Sequence, residues 1–405
     1  MSDRAALAER FRGVRERSLS VCAPLSAEDA QIQSMPDASP AKWHLAHTTW
    51  FFETFVLGEP SAWTYLFNSY YEAIGARVER ARRGLVTRPS LHEVRSYRAR
   101  IDERVMHAIA EQRVDAAVVE LGLHHEQQHQ ELMLTDLKHA LGTQPLRPAY
   151  RDDLAPPLAA SVAPAGWLDF VGGVVEIGAR EGFSFDCERP RHRVVLAPFR
   201  LATRPVCNAE VLAFIADGSY REPRLWLSDG FATAHTEGWQ APLYWEQRDG
   251  VWMQYTLGGL REVCPAETAC HLSYYEADAI ARWAGARLPT EAEWEHAAVS
   301  VAPDGHFADD DRLHPTTAHG DGLRQLFGDV WEWTQSAFSP YPGFQPEPGA
   351  LGEYNGKFMC GQRVLRGGSC LTPRGHVRAS YRNFFYPSAR WQMTGVRLAV
   401  DGGSS

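Results

Sequence analysis

The sequence predicts an α+β protein in which a four-helix bundle is followed by a compact domain of mixed helices and strands. Helical signals occupy the first 142 residues. A stretch at 143–166 then holds five prolines and little periodicity, which is typical of a linker. Ten of the 13 tryptophans lie at 167–405, and this distribution indicates a second domain stabilised by buried aromatic side chains.

Four N-terminal segments carry the hydrophobic period or the end signals of helices. They lie near 3–17, from Ser39-Pro40 to about residue 57, from the capping box Ser90–Glu93 onward, and at 115–141. Asp115 is a suitable cap for the last helix, and Gly142 is a stop signal after it. Four such helices predict a bundle, and facing helices of bundles commonly build metal sites in the core.

In the second region the clearest helix signals lie at 273–285 and 290–299. Short β-prone runs occur at 172–178 and 191–197. The region therefore combines helices with short strands, and the chain as a whole is predicted to belong to the α+β class.

The run HHEQQHQE at 124–131 predicts a metal site. His125 and His129 are four residues apart, so they share one face of a helix. The predicted inward face of this helix consists of Val118, Leu121, His125, His129, Leu132 and Asp136. His124 and His139 fall outside it and are expected at the surface. A further histidine in KWHLAHTTWFFE (42–53) would complete a three-histidine site between two helices.

The string HEQQH also matches the zinc-protease pattern, with Glu126 as general base. Leu132 and Thr135 stand where one protease class has glycine and a third histidine. Another class takes a glutamate from a following helix, where this chain has its proline-rich segment. A zinc metallohydrolase is therefore a remoter alternative.

Composition excludes several classes of protein. The net charge of −9 argues against a nucleic-acid binder or a binder of anionic membranes, and no apolar run is long enough to span a bilayer. No signal-like segment opens the chain, and its seven cysteines include no CxxC pair. These features predict a cytoplasmic protein, and they leave the oligomeric state open.

Several short sequence motifs in the second region are typical of a known family. RLPTEAEWE (287–295), GDVWEWT (328–334), VLRGGS (364–369) and GVRLA (395–399) resemble the formylglycine-generating-enzyme-like fold, which is related to C-type lectins. The first region resembles the helical module called DinB-like. Joined in this order, with WHLAH and HEQQHQE, they resemble the sulfoxide synthases of ergothioneine biosynthesis, second type.

The resemblance implies a non-haem iron enzyme. His47, His125 and His129 match the Fe(II) ligands of the family, and His44 is the less favoured of the two WHLAH histidines. Three neutral ligands leave three positions of an octahedral Fe(II) open, enough for two substrates and dioxygen. In the resembled reaction, O2 drives the joining of a sulfur donor, cysteine or γ-glutamylcysteine, to the imidazole C2 of hercynine, and the product is a sulfoxide.

The resemblance also assigns roles to other residues. Tyr70 and Tyr71 are candidates to supply a proton or hydrogen atom to reduced oxygen, and Arg77 and Arg82 are candidates to bind the donor's carboxylate. The residues expected to contact hercynine are Gln128, Asn383, Phe384 and Phe385. Aromatic faces such as those of the two phenylalanines attract a quaternary ammonium group.

The chain departs from the family pattern in the segment expected to bind the donor. GARVER (75–80) replaces a Gly-Pro-Arg-His-like segment, and Glu72 replaces a small amide. Selenoneine synthases share this architecture and join hercynine to a selenosugar, which has less use for a carboxylate clamp. This alternative stays open beside the sulfur donors.

Two other functions of the second fold are weighed against these. A lectin-like binding module would not require three ligand histidines. Formylglycine generation requires a cysteine pair after the RGGS word, where this chain has only Cys370.

Overall fold

The computed structural model describes residues 3–154, 161–353 and 355–402. Two compact units make up the chain. The first is Met1–Arg151 with Glu347–Tyr354, and the second is Asp152–Pro346 with Asn355–Ser405. The helical unit thus includes a short late segment that the sequence analysis assigned to 167–405. The predicted linker lies partly outside the described residues, at 155–160.

The first unit is helical, as the sequence predicts. Its α-helices are α1 Asp3–Cys22, α2 Ala41–Phe51, α3 Thr64–Phe67, α4 Leu91–Ala110 and α5 Ala116–Thr143. A π-helical turn, Phe52–Val56, continues α2. The predicted capping box of Ser90 and Glu93 starts α4. The predicted cap of α5 is also present, because Asp115 accepts a hydrogen bond from the amide of Ala117 at 2.8 Å.

Among the four long helices, α1 and α2 both lie against α5, and α4 lies against α1 and α2. Their shared core contains Phe11, Phe52, Ile101 and Leu123. Gly122 allows a close approach between α5 and the end of α2, because a Cβ built at this position would lie 2.9 Å from the ring of Phe52. The chain therefore needs glycine here for α2 and its π-helical extension to reach α5.

The buried face of α5 is wider than the sequence predicts. The helix is buried around most of its circumference from Gly122 to Gln127, and His124, expected at the surface, is buried. The cause is α1, whose Arg10 pairs with Glu120 and contacts the His124 ring nitrogen Nε2 at 2.7 Å. His139 is half-buried and contacts Ser34.

The second unit contains mixed helices and strands, so the α+β prediction is confirmed. Its helices are α6 Asn208–Ala216, α7 Ser228–Thr236, α8 Tyr274–Trp283 and α9 Glu291–Ala298. Its strands are β1 Trp167–Phe170, β2 Gly173–Ile177, β3 His192–Leu196, β4 Phe199–Ala202, β5 Trp245–Arg248, β6 Val251–Thr256, β7 Gly259–Glu262, β8 Trp331–Ala337, β9 Arg363–Arg366, β10 Asn383–Phe385, β11 Thr394–Gly395 and β12 Ala399–Asp401.

The strands form small sheets in the orders β1-β4-β12, β10-β9-β8-β11, β2-β3 and β5-β6-β7. The pairing of β8 with β11 is parallel, whereas β8 and β9 pair antiparallel. Buried tryptophans anchor the unit, as the composition predicts. Trp294 donates its indole N–H to Glu332 at 2.6 Å, and Trp333 donates to the carbonyl of Leu272 at 2.8 Å. In the described part of the chain, every helix is too short or too polar to span a bilayer.

Two helical glycines provide a test of the close approach at Gly122. Gly122→Ala should destabilise the protein by about 1–3 kcal/mol, because the new methyl group overpacks the buried ring of Phe52. Gly13→Ala is the matched control on α1. Its Cβ would meet no atom within 4 Å, so it should stabilise by about 0.5–1 kcal/mol through helix propensity. Urea unfolding measures both. Equal effects of the two substitutions would contradict the packing argument.

Candidate metal centre

Three histidines of the first unit form one buried cluster. His47 comes from α2, whereas His125 and His129 come from α5. One nitrogen of each ring lies within 4.8 Å of the others. The Nε2 atoms of His47 and His125 are 3.1 Å apart, close to the roughly 3 Å separation of two cis ligands about 2.1 Å from one metal ion. The structure therefore brings together the three histidines that the sequence singled out.

The His47 ring is held on both sides by its own helix. Trp43 stacks on it with ring centroids 4.6 Å apart, and Trp50 lies on its other side along the helix at 5.7 Å. Its Nδ1 lies 2.6 Å from the carbonyl oxygen of Phe67. A carbonyl only accepts, so Nδ1 carries the proton, and Nε2 of the neutral ring keeps its lone pair toward the cluster.

His129 is held by side chains from both helices. Its Nδ1 lies 2.8 Å from Nδ1 of His44, and Nε2 of His44 lies 3.2 Å from a carboxylate oxygen of Asp136. His44 is thus adjacent to the cluster rather than part of it, in agreement with its lower ranking in the sequence analysis. Asp136 was correctly predicted on the inward face of α5.

Burial keeps the cluster neutral. It lowers the pKa of His125 to about 3 and, together with the neighbouring His125 ring, lowers the pKa values of His47 and His129 well below 6.5. A neutral imidazole has a lone pair to give, whereas an imidazolium has none. The three rings are therefore in the state that metal binding requires at neutral pH.

This donor set suits a metal ion with open coordination positions. Imidazole nitrogen is a good ligand for Fe, Zn, Cu and Ni. In the described part of the chain, the group contains only the three histidines and no carboxylate or thiolate. A closed structural zinc site has four protein ligands, so the cluster resembles the catalytic kind, which leaves positions for substrate.

Glu126 does not face the cluster's metal position as a general base would. Its carboxylate is fully buried and paired with Arg15 and Arg98, and it accepts a hydrogen bond from Ser18 at 2.5 Å. Burial favours its neutral form, yet the two arginine charges outweigh burial and lower its pKa to about 2. Such a carboxylate is a weak base, so the HEQQH string here lacks the arrangement of a zinc protease.

The two candidate tyrosines have different surroundings. Tyr71 is fully buried, and its ring lies 5.9 Å from Trp50 and 5.0 Å from Phe55. Burial raises the pKa of Tyr71, so its hydroxyl keeps its proton at neutral pH. Tyr70 is half-buried and packs on Tyr71 with centroids 4.7 Å apart. Trp50 therefore links Tyr71 to the His47 ring.

Neither of the two candidate arginines, Arg77 and Arg82, is held in a buried position from which it could bind a donor carboxylate. Arg77 is paired with Glu72 at 2.5 Å, and the side chain of Arg82 is exposed. The late segment of this unit adds acidic charge, because Glu353 accepts hydrogen bonds from the amides of Glu72 and Ala73, both at 2.9 Å.

The buried arginine of this segment is Arg83, to which the family resemblance assigns no role. Its guanidinium lies 3.5 Å from the centroid of the Trp43 ring and donates to Ser39 and Ser69. Burial lowers the pKa of Arg83 to about 9, so it remains charged at neutral pH. The local sequence pattern carries no signal for the burial of Arg83.

Gln128 is half-buried, one position before His129 on α5. The remaining candidates lie in the second unit, on β10, where Phe384 pairs with Val364 of β9. Phe384 stacks on Phe338 with centroids 4.0 Å apart. Phe385 instead packs near Trp391, because successive side chains of a strand point to opposite faces.

Comparison with known proteins covers both regions. Residues 164–321 and 302–402 match the FGE-sulfatase family, described as a sulfatase-modifying factor enzyme 1-like domain. The hercynine oxygenase of Mycolicibacterium thermoresistibile is 34% identical over 98% of this chain and 95% of its own length. That of Mycolicibacterium smegmatis is 34% identical over 99% of this chain and 100% of its own. Ergothioneine biosynthesis protein 1 of Schizosaccharomyces pombe is 28% identical over 54% of this chain.

The role of Glu126 can be tested against a second glutamate on the same helix. Glu126→Gln should cost about 3–5 kcal/mol of unfolding free energy, because it leaves two buried arginines short of a counter-charge. Glu120→Gln disrupts a half-exposed pair with Arg10 and should cost less than about 1 kcal/mol. Chemical denaturation measures both. A Glu126→Gln protein of unchanged stability that had lost only its activity would instead support a catalytic base.

Proposed function

Because this chain belongs to the hercynine oxygenase family, we propose that it joins a sulfur donor to the imidazole C2 of hercynine with O2 as oxidant. The donor is cysteine or γ-glutamylcysteine, and the product is a sulfoxide of ergothioneine biosynthesis. The observation that carries the proposal is the buried cluster of His47, His125 and His129, in a chain that is 34% identical to hercynine oxygenases over nearly its full length.

The proposed reaction balances without a further reductant. The thiol S–H bond and the imidazole C2–H bond break, and a C–S bond and an S=O bond form. One oxygen atom of O2 enters the sulfoxide, and the other leaves as water with the two hydrogens. The organic substrates supply all four electrons that O2 accepts.

The proposed cofactor is Fe(II), held by His47, His125 and His129. Bound there, iron would hold both substrates and O2 at one centre and pass electrons from the thiolate to O2. The chain's own contribution is orientation. Because Trp43 and Trp50 fix the plane of the His47 ring, its lone pair stays directed at the cluster without reorganisation during the reaction.

Tyr70 and Tyr71 are the proposed source of the proton that reduced oxygen needs. The packing of Tyr71 on Trp50, next to the His47 ring, supports a tyrosine of this pair near the reacting atoms. A raised pKa keeps the Tyr71 hydroxyl protonated, so it has a proton to give. Positioned acids of this kind contribute about 10²–10⁴-fold to rate.

For hercynine we propose contacts with Gln128, Asn383, Phe384 and Phe385. The trimethylammonium group is a permanent cation, and an aromatic face attracts it by about 0.5–2 kcal/mol. Phe384 offers a ring that stacking on Phe338 holds in place, so little side-chain entropy is lost on binding.

A selenosugar donor is the second candidate, and the Arg77–Glu72 ion pair favours it. A donor carboxylate that bound Arg77 would have to compete with Glu72, whereas a sugar would not. Arg82 is exposed and gives no compensating clamp. In this case the Se–H bond of the donor and the imidazole C2–H bond break, a C–Se bond and an Se=O bond form, and the second oxygen atom of O2 leaves as water.

One experiment separates these donors. The protein is incubated in air with Fe(II), hercynine, and equal amounts of cysteine, γ-glutamylcysteine and the selenosugar, and the products are read by mass spectrometry. We expect a hercynyl sulfoxide. A selenium adduct would establish the second candidate, and no adduct from an iron-loaded protein would exclude hercynine as substrate.

The same assay includes a ligand variant and a matched control. His125→Ala should lose both bound iron and turnover, because two imidazoles hold a metal ion more weakly than three. His107→Ala removes a histidine whose side chain is 65% exposed on α4 and should leave both unchanged. Full iron content in His125→Ala would contradict the ligand set.

Three tyrosine variants test the proton donor. At least one of Tyr70→Phe and Tyr71→Phe should lower sulfoxide turnover about 10²–10⁴-fold, with iron content unchanged. Tyr65→Phe is the control, since that ring is 57% exposed. If both inner variants turn over as fast as the control, neither hydroxyl supplies the proton.

A further inference from the structure

We propose that His44 and Asp136 form a positioning pair that sets the tautomer and ring orientation of His129, and so its affinity for metal. The metal part of this inference rests on the proposed function. The tautomer part concerns the protein alone and can be tested without metal.

The three groups form one continuous chain of contacts. Nδ1 of His129 lies 2.8 Å from Nδ1 of His44, and Nε2 of His44 lies 3.2 Å from Oδ2 of Asp136. The same Oδ2 accepts a hydrogen bond from the amide of Ser39 at 2.8 Å. All three side chains are at least nine-tenths buried, with exposures of 8% for His129, 2% for His44 and 5% for Asp136. Water is therefore a poor substitute for any of these contacts.

The direction of the hydrogen bonds follows from the carboxylate. Oδ2 of Asp136 already accepts from the amide of Ser39, so Nε2 of His44 carries a proton and donates it to the same oxygen. Two ring nitrogens 2.8 Å apart share one proton, and a buried neutral His44 that donates through Nε2 can only accept at Nδ1. Nδ1 of His129 must then be the donor. In neutral His129 the remaining nitrogen, Nε2, is left unprotonated and free to bind a metal ion.

Both ring nitrogens of His44 are engaged in hydrogen bonds, one with His129 and the other with Asp136. A ligand would need one of them free, so the geometry assigns His44 a supporting role. The carbonyl of Phe67 serves His47 in the same way, because it accepts from that ring's Nδ1. The two ligands from different helices thus have different supports, a backbone carbonyl for one and a histidine–aspartate pair for the other.

The support also joins α2 to α5. His44 belongs to α2, whereas His129 and Asp136 are seven residues apart on α5, two helical turns along one face. Trp43 packs edge-on to the His44 ring with centroids 5.7 Å apart, which fixes that ring from the side. A change at His44 is therefore expected to reach the cluster through His129.

The test uses three variants and a control. His44→Phe keeps a ring beside Trp43 and removes both nitrogens, and Asp136→Asn is nearly isosteric and removes the charge. The third variant combines them. His139→Phe is the control, with the same substitution at a half-buried histidine of α5 that contacts Ser34 instead. Circular dichroism and thermal melting confirm that each variant is folded.

The first readout is Co(II) affinity, measured anaerobically by competition with a chelator. We expect His44→Phe to bind Co(II) about 10–100-fold more weakly than wild type, and Asp136→Asn to bind less weakly than that. The double variant should match His44→Phe, since Asp136 reaches His129 only through His44. The control should bind as wild type does. X-ray absorption should count the same number of imidazole ligands in His44→Phe as in wild type.

The second readout is the ¹⁵N spectrum of the histidine rings in metal-free protein. Wild type should show His129 as the Nδ1–H tautomer, and His44→Phe should show a mixture of tautomers. If His44→Phe does not fold, Asp136→Asn carries both readouts, with a partial shift expected in each.

Three results would overturn the inference. Wild-type Co(II) affinity in folded His44→Phe means that the pair does not support His129. Loss of one imidazole from the coordination shell means that His44 is itself a ligand. Observation of the Nε2–H tautomer of His129 in wild type would mean that the hydrogen bonds run in the direction opposite to the one proposed. A wild-type protein that bound no metal but showed the expected tautomers would instead refute the proposed iron site and leave the positioning pair intact.

Discussion

The close approach of α2 to α5 at Gly122 is the constraint on which the candidate site depends. Because Gly122 has no side chain, the rings of Phe51 and Phe52 pack directly onto α5. This contact lies about one helical turn from His125, and it brings His47 of α2 within 3.1 Å of that ring. A cluster of ligands from two helices requires such a fixed interhelical distance, because imidazole side chains are short and a metal ion tolerates little variation in bond length.

Two sets of buried polar groups lie on opposite flanks of α5 and divide its surface. Toward α2, the helix presents His125, His129 and Asp136. Toward α1 and α4, it presents Glu126, which holds Arg15 and Arg98. Adjacent residues of a helix point about 100° apart, so a histidine and the glutamate after it serve different neighbours. Here the glutamate stabilises the packing of three helices, and the histidines remain available for metal.

The local sequence pattern was sufficient to predict part of the candidate site and the starts of two helices. The spacing of His125 and His129 predicts a shared face, and the capping signals at Ser90 and Asp115 predict where α4 and α5 begin. The resemblance of the second region to formylglycine-generating enzymes is confirmed by the family match. The remaining site residues did not follow from pattern. His44 touches Asp136, 92 residues away, and Arg83 is buried because Trp43 and Ser39 cover it.

From the chain alone one obtains the four long helices of the first unit, part of the inward face of α5, the pair of histidines on that face and the family. These features depend on short-range periodicity and on short sequence motifs, both of which involve only a few neighbouring residues. Helix packing determines that His47 lies beside the pair and that Tyr71 is the buried tyrosine. It also pairs Glu126 with two arginines and covers His124 with α1. Those outcomes depend on contacts between residues tens of positions apart, and their energies are decided by burial and by neighbouring charge, which exist only once the helices have met.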